Sequence, residues 1–185
     1  MQPLDEFRQG LTRRQFFGRT STGIGAAALA SLLGDGLAQA ATTTTTFAVT
    51  ATVQSICSTT AAALAFPAYT PGGGAQIGNT TISVKCTKNT PFTVALNAGS
   101  TTGDAFAQRL MASGTNTLQY NLYTTAALAT VFGDGTPGSQ TVAGTGLGVA
   151  TANSVQVFGQ VPDSATNQAA VAGSYSDTIT VTVTY

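Results

Sequence analysis

The sequence contains no histidine and only two cysteines, and its charge is sparse: seven Lys plus Arg and seven Asp plus Glu in 185 residues. Without histidine, a cysteine nucleophile lacks its usual activating base and a zinc site lacks its commonest nitrogen ligand. The cations crowd into the first forty residues, at Arg8, Arg13, Arg14 and Arg19. Beyond residue 40 only Lys85, Lys88 and Arg109 face Asp104, Asp134, Asp163 and Asp177, a net charge of −1. That leaves no basic patch, which argues against nucleic-acid binding. With so few charges the surface must be wetted by Thr, Ser, Asn and Gln, a composition suited to a persistent extracellular structure. No segment carries a helical period.

Residues 1–40 read as a cleaved export signal. An arginine-bearing start is followed by an Ala/Gly/Leu-rich stretch, Gly23 to Leu37, and by Ala38-Gln39-Ala40, a small-residue cleavage site whose last removed residue is Ala40. The apolar stretch is too short for a membrane anchor, and Asp35 interrupts it. Thr12-Arg13-Arg14-Gln15-Phe16-Phe17 resembles a twin-arginine signal, departing from it at Phe17, where leucine is common, and at Gly18, where lysine is common. An ordinary Sec signal is the alternative. What remains is the length of one domain.

In an exported chain, the pair Cys57 and Cys86 reads as a disulfide. It closes a loop of roughly 30 residues, which the chain-entropy model values at about 3–4 kcal/mol.

The strongest local pattern is Thr178-Ile179-Thr180-Val181-Thr182-Val183-Thr184-Tyr185. Threonine alternates with large apolar residues, so Ile179, Val181, Val183 and Tyr185 share one face of a strand. This row closes the sequence, which predicts an open sheet edge. A second alternating stretch, Phe47 to Val53, places Phe47, Val49, Ala51 and Val53 on one face, after a linker-like run from Thr42 to Thr46. An open edge at one end and a tethered strand at the other suggest strand exchange between copies. Between them, short strands are expected at Ala63–Phe66, Thr81–Cys86, Pro91–Asn97, Arg109–Met111, Leu118–Tyr123 and Ser154–Val161. A Pro/Gly loop is expected over 67–78, and a loop or weak strand over 138–148. Short strands at regular spacing with Gly/Pro turns predict a β-sandwich.

These segments resemble, in order and spacing, the spore coat protein U domain family, which supplies subunits of archaic chaperone–usher pili. The resemblance runs from about Phe47 to Tyr185. It rests on the arm followed by Cys57, on Ile82-Ser83-Val84-Lys85-Cys86-Thr87, Pro91-Phe92-Thr93-Val94, Arg109-Leu110-Met111, Leu118-Gln119-Tyr120-Asn121-Leu122-Tyr123 with Gly133-Asp134-Gly135, and Gly173-Ser174-Tyr175-Ser176-Asp177-Thr178.

The resemblance implies an incomplete immunoglobulin-like sandwich over 55–185, completed by a donor strand from a neighbouring subunit. Residues 41–54 would be linker and donor strand, with Phe47, Val49, Ala51 and Val53 entering a groove lined by Ile179, Val181, Val183 and Tyr185, which a chaperone would also contact. It implies a fimbrial subunit exported through the periplasm to a surface pilus or secreted, supporting adhesion or biofilm formation. Its partners would be copies of itself or related subunits, a periplasmic chaperone and an outer-membrane usher. No cofactor, metal or small-molecule substrate is implied. The alternative is a monomeric secreted coat or surface-binding sandwich. An enzyme fits poorly: Asp134 sits in a Gly-Asp-Gly turn, Asp177 opens a strand and Lys85 alternates outward. Arg109, near an edge, is a candidate loop anchor.

Overall fold

The structure is a computed structural model and describes residues 41–185. Arg13, Arg14, Ala38 and Ala40 of the expected export signal lie outside the described residues. By internal packing the chain divides into two units, Met1–Thr50 and Ala51–Tyr185. The described part of the first unit, residues 41–50, is exposed and carries no helix or strand.

The second unit is a two-sheet sandwich. Its strands are β1 (Cys57–Ala61), β2 (Gln76–Cys86), β3 (Pro91–Leu96), β4 (Arg109–Ser113), β5 (Asn116–Tyr123), β6 (Val142–Thr145), β7 (Asn153–Val161) and β8 (Val181–Thr184), with one short helix, α1 (Ala165–Gln168), between β7 and β8. One sheet has the order β1-β2-β7-β5-β4 and the other β6-β3-β8. All named pairings are antiparallel.

Period-two alternation selects the core. Ile82, Val84 and Cys86 of β2, Phe92, Val94 and Leu96 of β3, and Val155, Val157 and Val161 of β7 all point inward. Leu118, Tyr120 and Leu122 of β5 complete the interior, with Phe132 from the loop that follows. Both sheets therefore close on one apolar cluster, the arrangement that gives a sandwich its stability. β4 and β5 join through the two-residue turn Gly114-Thr115, whose first position has φ 61°, a conformation open to glycine without steric cost.

Where β7 leaves the sheet, a side chain takes over the ladder. The Asn167 amide of α1 accepts from Gln119 N (2.8 Å) and donates to Gln119 O (2.9 Å) and Pro162 O (2.7 Å). Asn167 is wholly buried, and these bonds satisfy its polar atoms.

Three sequence expectations need correcting. Ala63–Phe66 is not a strand: the run from Ala62 to Thr70 has no ladder. Its apolar alternation is real but serves packing, because Leu64 and Phe66 lie over the facing glycines Gly78 and Gly159. β2 begins at Gln76, inside the stretch expected to be loop. β8 is shorter than the alternating run, since Thr178 to Thr180 are outside it. Phe47 to Val53, expected to pair as a donor strand with a neighbouring copy, carries no strand in the single chain. A strand needs a neighbouring ladder to hold it.

Candidate functional site

β8 hydrogen-bonds to β3 and, among the described residues, to no strand on its other side. β1, across from it, belongs to the other sheet. Between them the sandwich is open. The result is an apolar groove in two adjoining parts, of about 500 Å³ and about 670 Å³. One wall is the segment from Ala61 to Pro71, and the other runs from Ala170 to Val181. Leu64, Phe66, Met111 and Tyr175 line both parts and make them continuous. The floor is core: Ile82, Tyr120, Leu122 and Val157 in the first part, Leu118 and Val161 in the second.

Local sequence explains each wall. The first lies close to the sheet because Gly78 and Gly159 leave room: a Cβ on Gly159 would come within 2.8 Å of the Phe66 ring. Its far end is fixed by Asp163, which accepts from Tyr69 Oη (2.5 Å), Gly72 N (3.1 Å) and Gly74 N (3.0 Å). The Tyr69 hydrogen bond, then the two amides, hold the Asp163 carboxyl below the usual range against its desolvation. Desolvation and the same carboxylate push the Tyr69 phenol up to about 12.

The second wall is fixed from the interior by Arg109, which is 0 % exposed. Its guanidinium donates to Asn97 O (2.8 Å), Phe132 O (2.7 Å) and Asn121 Oδ1 (2.7 Å), and lies 5.4 Å from the centre of the Phe106 ring. No partner in that set is a carboxylate. Burial pulls its pKa down, and the negative fields of Tyr120, Asp104 and Asp177 oppose that fall. Arg109 is thus an anchor, as expected, but a buried one: it ties the end of β3 to β5. Asn97 in turn grips Thr180, through Asn97 N to Thr180 O (3.1 Å) and Thr180 N to Asn97 Oδ1 (2.8 Å).

The expected site residues are placed as follows. Cys57 and Cys86 are bonded, with Cα atoms 4.1 Å apart. They sit directly opposite in the β1–β2 ladder, so the bridge staples the outermost strand β1 to its sheet. Ile179 and Val181 line the groove. Val183 is half-buried against the core beyond the groove, and Tyr185 is 58 % exposed. Phe47, Val49 and Val53 are 85 %, 83 % and 81 % exposed, and Ala51 is exposed too. Sequence reasoning placed Tyr120, Leu122, Ile82 and Val157 on strands but not in a groove floor. Strand periodicity says which face is apolar, not whether the opposite sheet covers it. It placed Leu64 and Phe66 in one short strand and Met111 in another, and gave neither these nor Tyr175 a place in the groove. The signal for the first two was there, an apolar alternation that reads as a short strand, with glycines in two strands for it to pack on.

Among the described residues no group of three or more His, Cys, Asp or Glu is placed to hold a metal, and no helix is long and apolar enough to cross a membrane.

An open-grooved, two-sheet antiparallel sandwich defines the class, an immunoglobulin-like β-sandwich. Residues 43–182 match the family model described as Spore Coat Protein U domain, and the chain belongs to that family. No curated protein sequence matches it. Among solved structures it is similar to a chain of the CsuC–CsuE chaperone–tip adhesion subunit pre-assembly complex from the archaic chaperone–usher Csu pili of Acinetobacter baumannii. The TM-score there is 0.51 at 23% identity, covering 72% of this chain and 41% of that one. A second similarity is to a chain of a chaperone–tip adhesin complex described as vital for activation of CFA/I fimbriae biogenesis, with TM-score 0.34, 15% identity, and coverage of 75% and 40%. The chain thus spans about two fifths of the length of the chains it matches.

Proposed function

We propose that the protein is a structural pilus subunit that polymerises by donor-strand exchange on the bacterial surface, supporting adhesion or biofilm formation. One observation carries this reading. An apolar groove runs beside the edge of β8 that is unpaired among the described residues, and the same chain exposes a segment whose sequence alternates Phe47, Val49, Ala51 and Val53. Each supplies what the other lacks: the groove offers buried surface and a row of free backbone groups, and the arm offers a matching row and side chains to bury.

Arm into the groove of the next copy is a head-to-tail contact, and such contacts build open filaments. Before assembly, the same groove is the natural seat for an extended strand of a periplasmic chaperone, which an outer-membrane usher would exchange for an arm. Family membership and the fold shared with a chain of a chaperone–tip adhesion subunit complex support these partners.

Deletion of residues 41–54 tests the reading. Full-length protein from cells carrying chaperone and usher should give ladders on unboiled gels and filaments by electron microscopy. The deleted form should give neither, yet should still bind a peptide of residues 41–54. Wild-type protein that stays monomeric would favour a secreted surface-binding sandwich instead.

A further inference from the structure

We propose that Asp177 is a positioning residue of the groove: with Tyr120 it clasps the segment where the chain changes sheets, and so keeps the groove open to an incoming strand. The proposal rests on the strand-acceptor reading above.

The chain between α1 and β8 must pass from one sheet to the other. At Ser176 it still belongs to the five-stranded sheet, exchanging hydrogen bonds with Ala112 of β4 (2.9 and 3.0 Å). By Thr180 it is bound to Asn97 at the end of β3, in the other sheet. The crossing is completed within Asp177, Thr178 and Ile179, all of which line the groove.

Asp177 is the polar hub of that crossing. Its Oδ1 accepts from Ser100 N and Ser100 Oγ, each at 2.9 Å, and more weakly from Thr101 Oγ1 at 3.4 Å. Its Oδ2 accepts from Tyr120 Oη at 2.5 Å. One carboxylate therefore joins the loop after β3, the crossing itself, and the floor of the groove on β5. Tyr120 is 5 % exposed, so its hydroxyl is aimed from the core. The loop is built to meet this carboxylate: Gly99 has φ +133°, and a Cβ there would collide with both the Asp104 and the Asp177 carboxylates. Asp104 holds the same loop through Thr101 N and Leu110 N, both at 2.6 Å.

An apolar groove without an occupant tends to close, because its walls gain by burying each other. Apolar contacts are non-directional and cannot set a spacing. Hydrogen bonds to an ionised acceptor are short and directional, and they can. Preorganisation of this kind removes an ordering cost from binding, so its loss should slow strand acceptance.

The test separates accepting from donating. Acceptance is followed by fluorescence anisotropy of a labelled peptide of residues 41–54 added to the full chain. Donation is followed on unboiled gels by mixing the full chain with arm-deleted wild-type subunits. Asp177→Ala and Tyr120→Phe should each accept the peptide at least tenfold more slowly while donating at the wild-type rate. The double variant should be little worse than the weaker single one. Tyr120→Phe keeps the ring in the core, so it reports on the clasp even where Asp177→Ala folds poorly. Wild-type acceptance in both variants would overturn the proposal. Equal loss of accepting and donating would also overturn it, by showing a general folding role. Wild-type protein that binds no peptide and forms no ladder would instead overturn the strand-acceptor reading itself.

Discussion

Val49→Asp is the sharpest probe of the proposed arm. Val49 is 83 % exposed in the isolated chain, so nearly all of its side chain is available for burial. Burying it contributes about 1.5–3 kcal/mol. An aspartate in its place forfeits that gain and adds an unpaired carboxylate in an apolar groove, a further cost of several kcal/mol. Asp177, already ionised on the groove wall, would repel it. The total is on the order of 5 kcal/mol, or three to four decades in affinity at about 1.4 kcal/mol per decade. In the proposed donor strand Thr50 would project to the opposite face, so Thr50→Asp should stay within about 0.5 kcal/mol of wild type. The defect should be one-sided. A Val49→Asp subunit keeps its groove, accepts a wild-type arm and donates none, so in mixtures it should cap filaments and shorten them. Filament length by electron microscopy, against the fraction of variant, measures this. Val49→Asp subunits that polymerise like wild type would refute the arm as donor strand.

Three further outcomes follow from the geometry. Gly159→Ala puts a Cβ against Phe66 and should lower stability by about 1–3 kcal/mol, read by thermal melting. Arg109→Met leaves Asn97 O, Phe132 O and Asn121 Oδ1 without their donor and should cost about 3 kcal/mol or more, measured by urea unfolding, and Arg109→Lys should rescue it poorly because an ammonium cannot reproduce the planar fork. The carboxyls of Asp163 and Asp177 are both held below their ordinary value, the first by its Tyr69 hydrogen bond, the second by hydrogen bonds from Tyr120 and Ser100 that outweigh desolvation. Their stabilisation is therefore complete above the unfolded carboxyl pKa, about 4, and is lost as pH falls through the lower folded values. Melting temperature should drop below about pH 4, with a shallower drop in Asp163→Asn.

The strands and the disulfide were legible because both follow short-range rules. Alternation over a few residues marks β2, β3, β5 and β7, and two cysteines in an exported chain leave one intramolecular pairing. The groove was legible only in part. The row Ile179, Val181 could be read from Thr178 onward, but the opposite wall could not, because Ala62 to Thr70 has no periodic backbone and is held by contacts to glycines in two other strands. The polar supports were the least visible. Tyr120 and Asp177 lie 57 positions apart, and Tyr69 and Asp163 lie 94 apart. No local spacing announces such pairs, and alone Tyr120 reads as a strand aromatic, Tyr69 as a loop residue, and the two aspartates as residues of a loop and of a strand opening. Arg109 stood out by scarcity alone, as one of three cations beyond residue 40.

That scarcity bears on how the proposed assembly would work. With three cations and four aspartates in the region described, there is little charge to steer subunits together or to select among partners. Specificity must then come from shape: which arm side chain meets which depth of the groove. Of the polar side chains that line the groove, Tyr69, Tyr120 and Asp177 are spent on holding its walls, and Asp163 and Arg109 support those walls from outside the lining. On this reading the contact between subunits rests on apolar side chains and backbone hydrogen bonds, with Asp177 the one charged side chain among those that line the groove. Its strength should therefore be nearly independent of ionic strength, since salt screens exposed charges and leaves buried apolar contact intact. Ladders formed at about 10 mM and at about 1 M salt should be alike in length. A marked shortening at high salt would show that charges carry the contact, and would count against the groove as its seat.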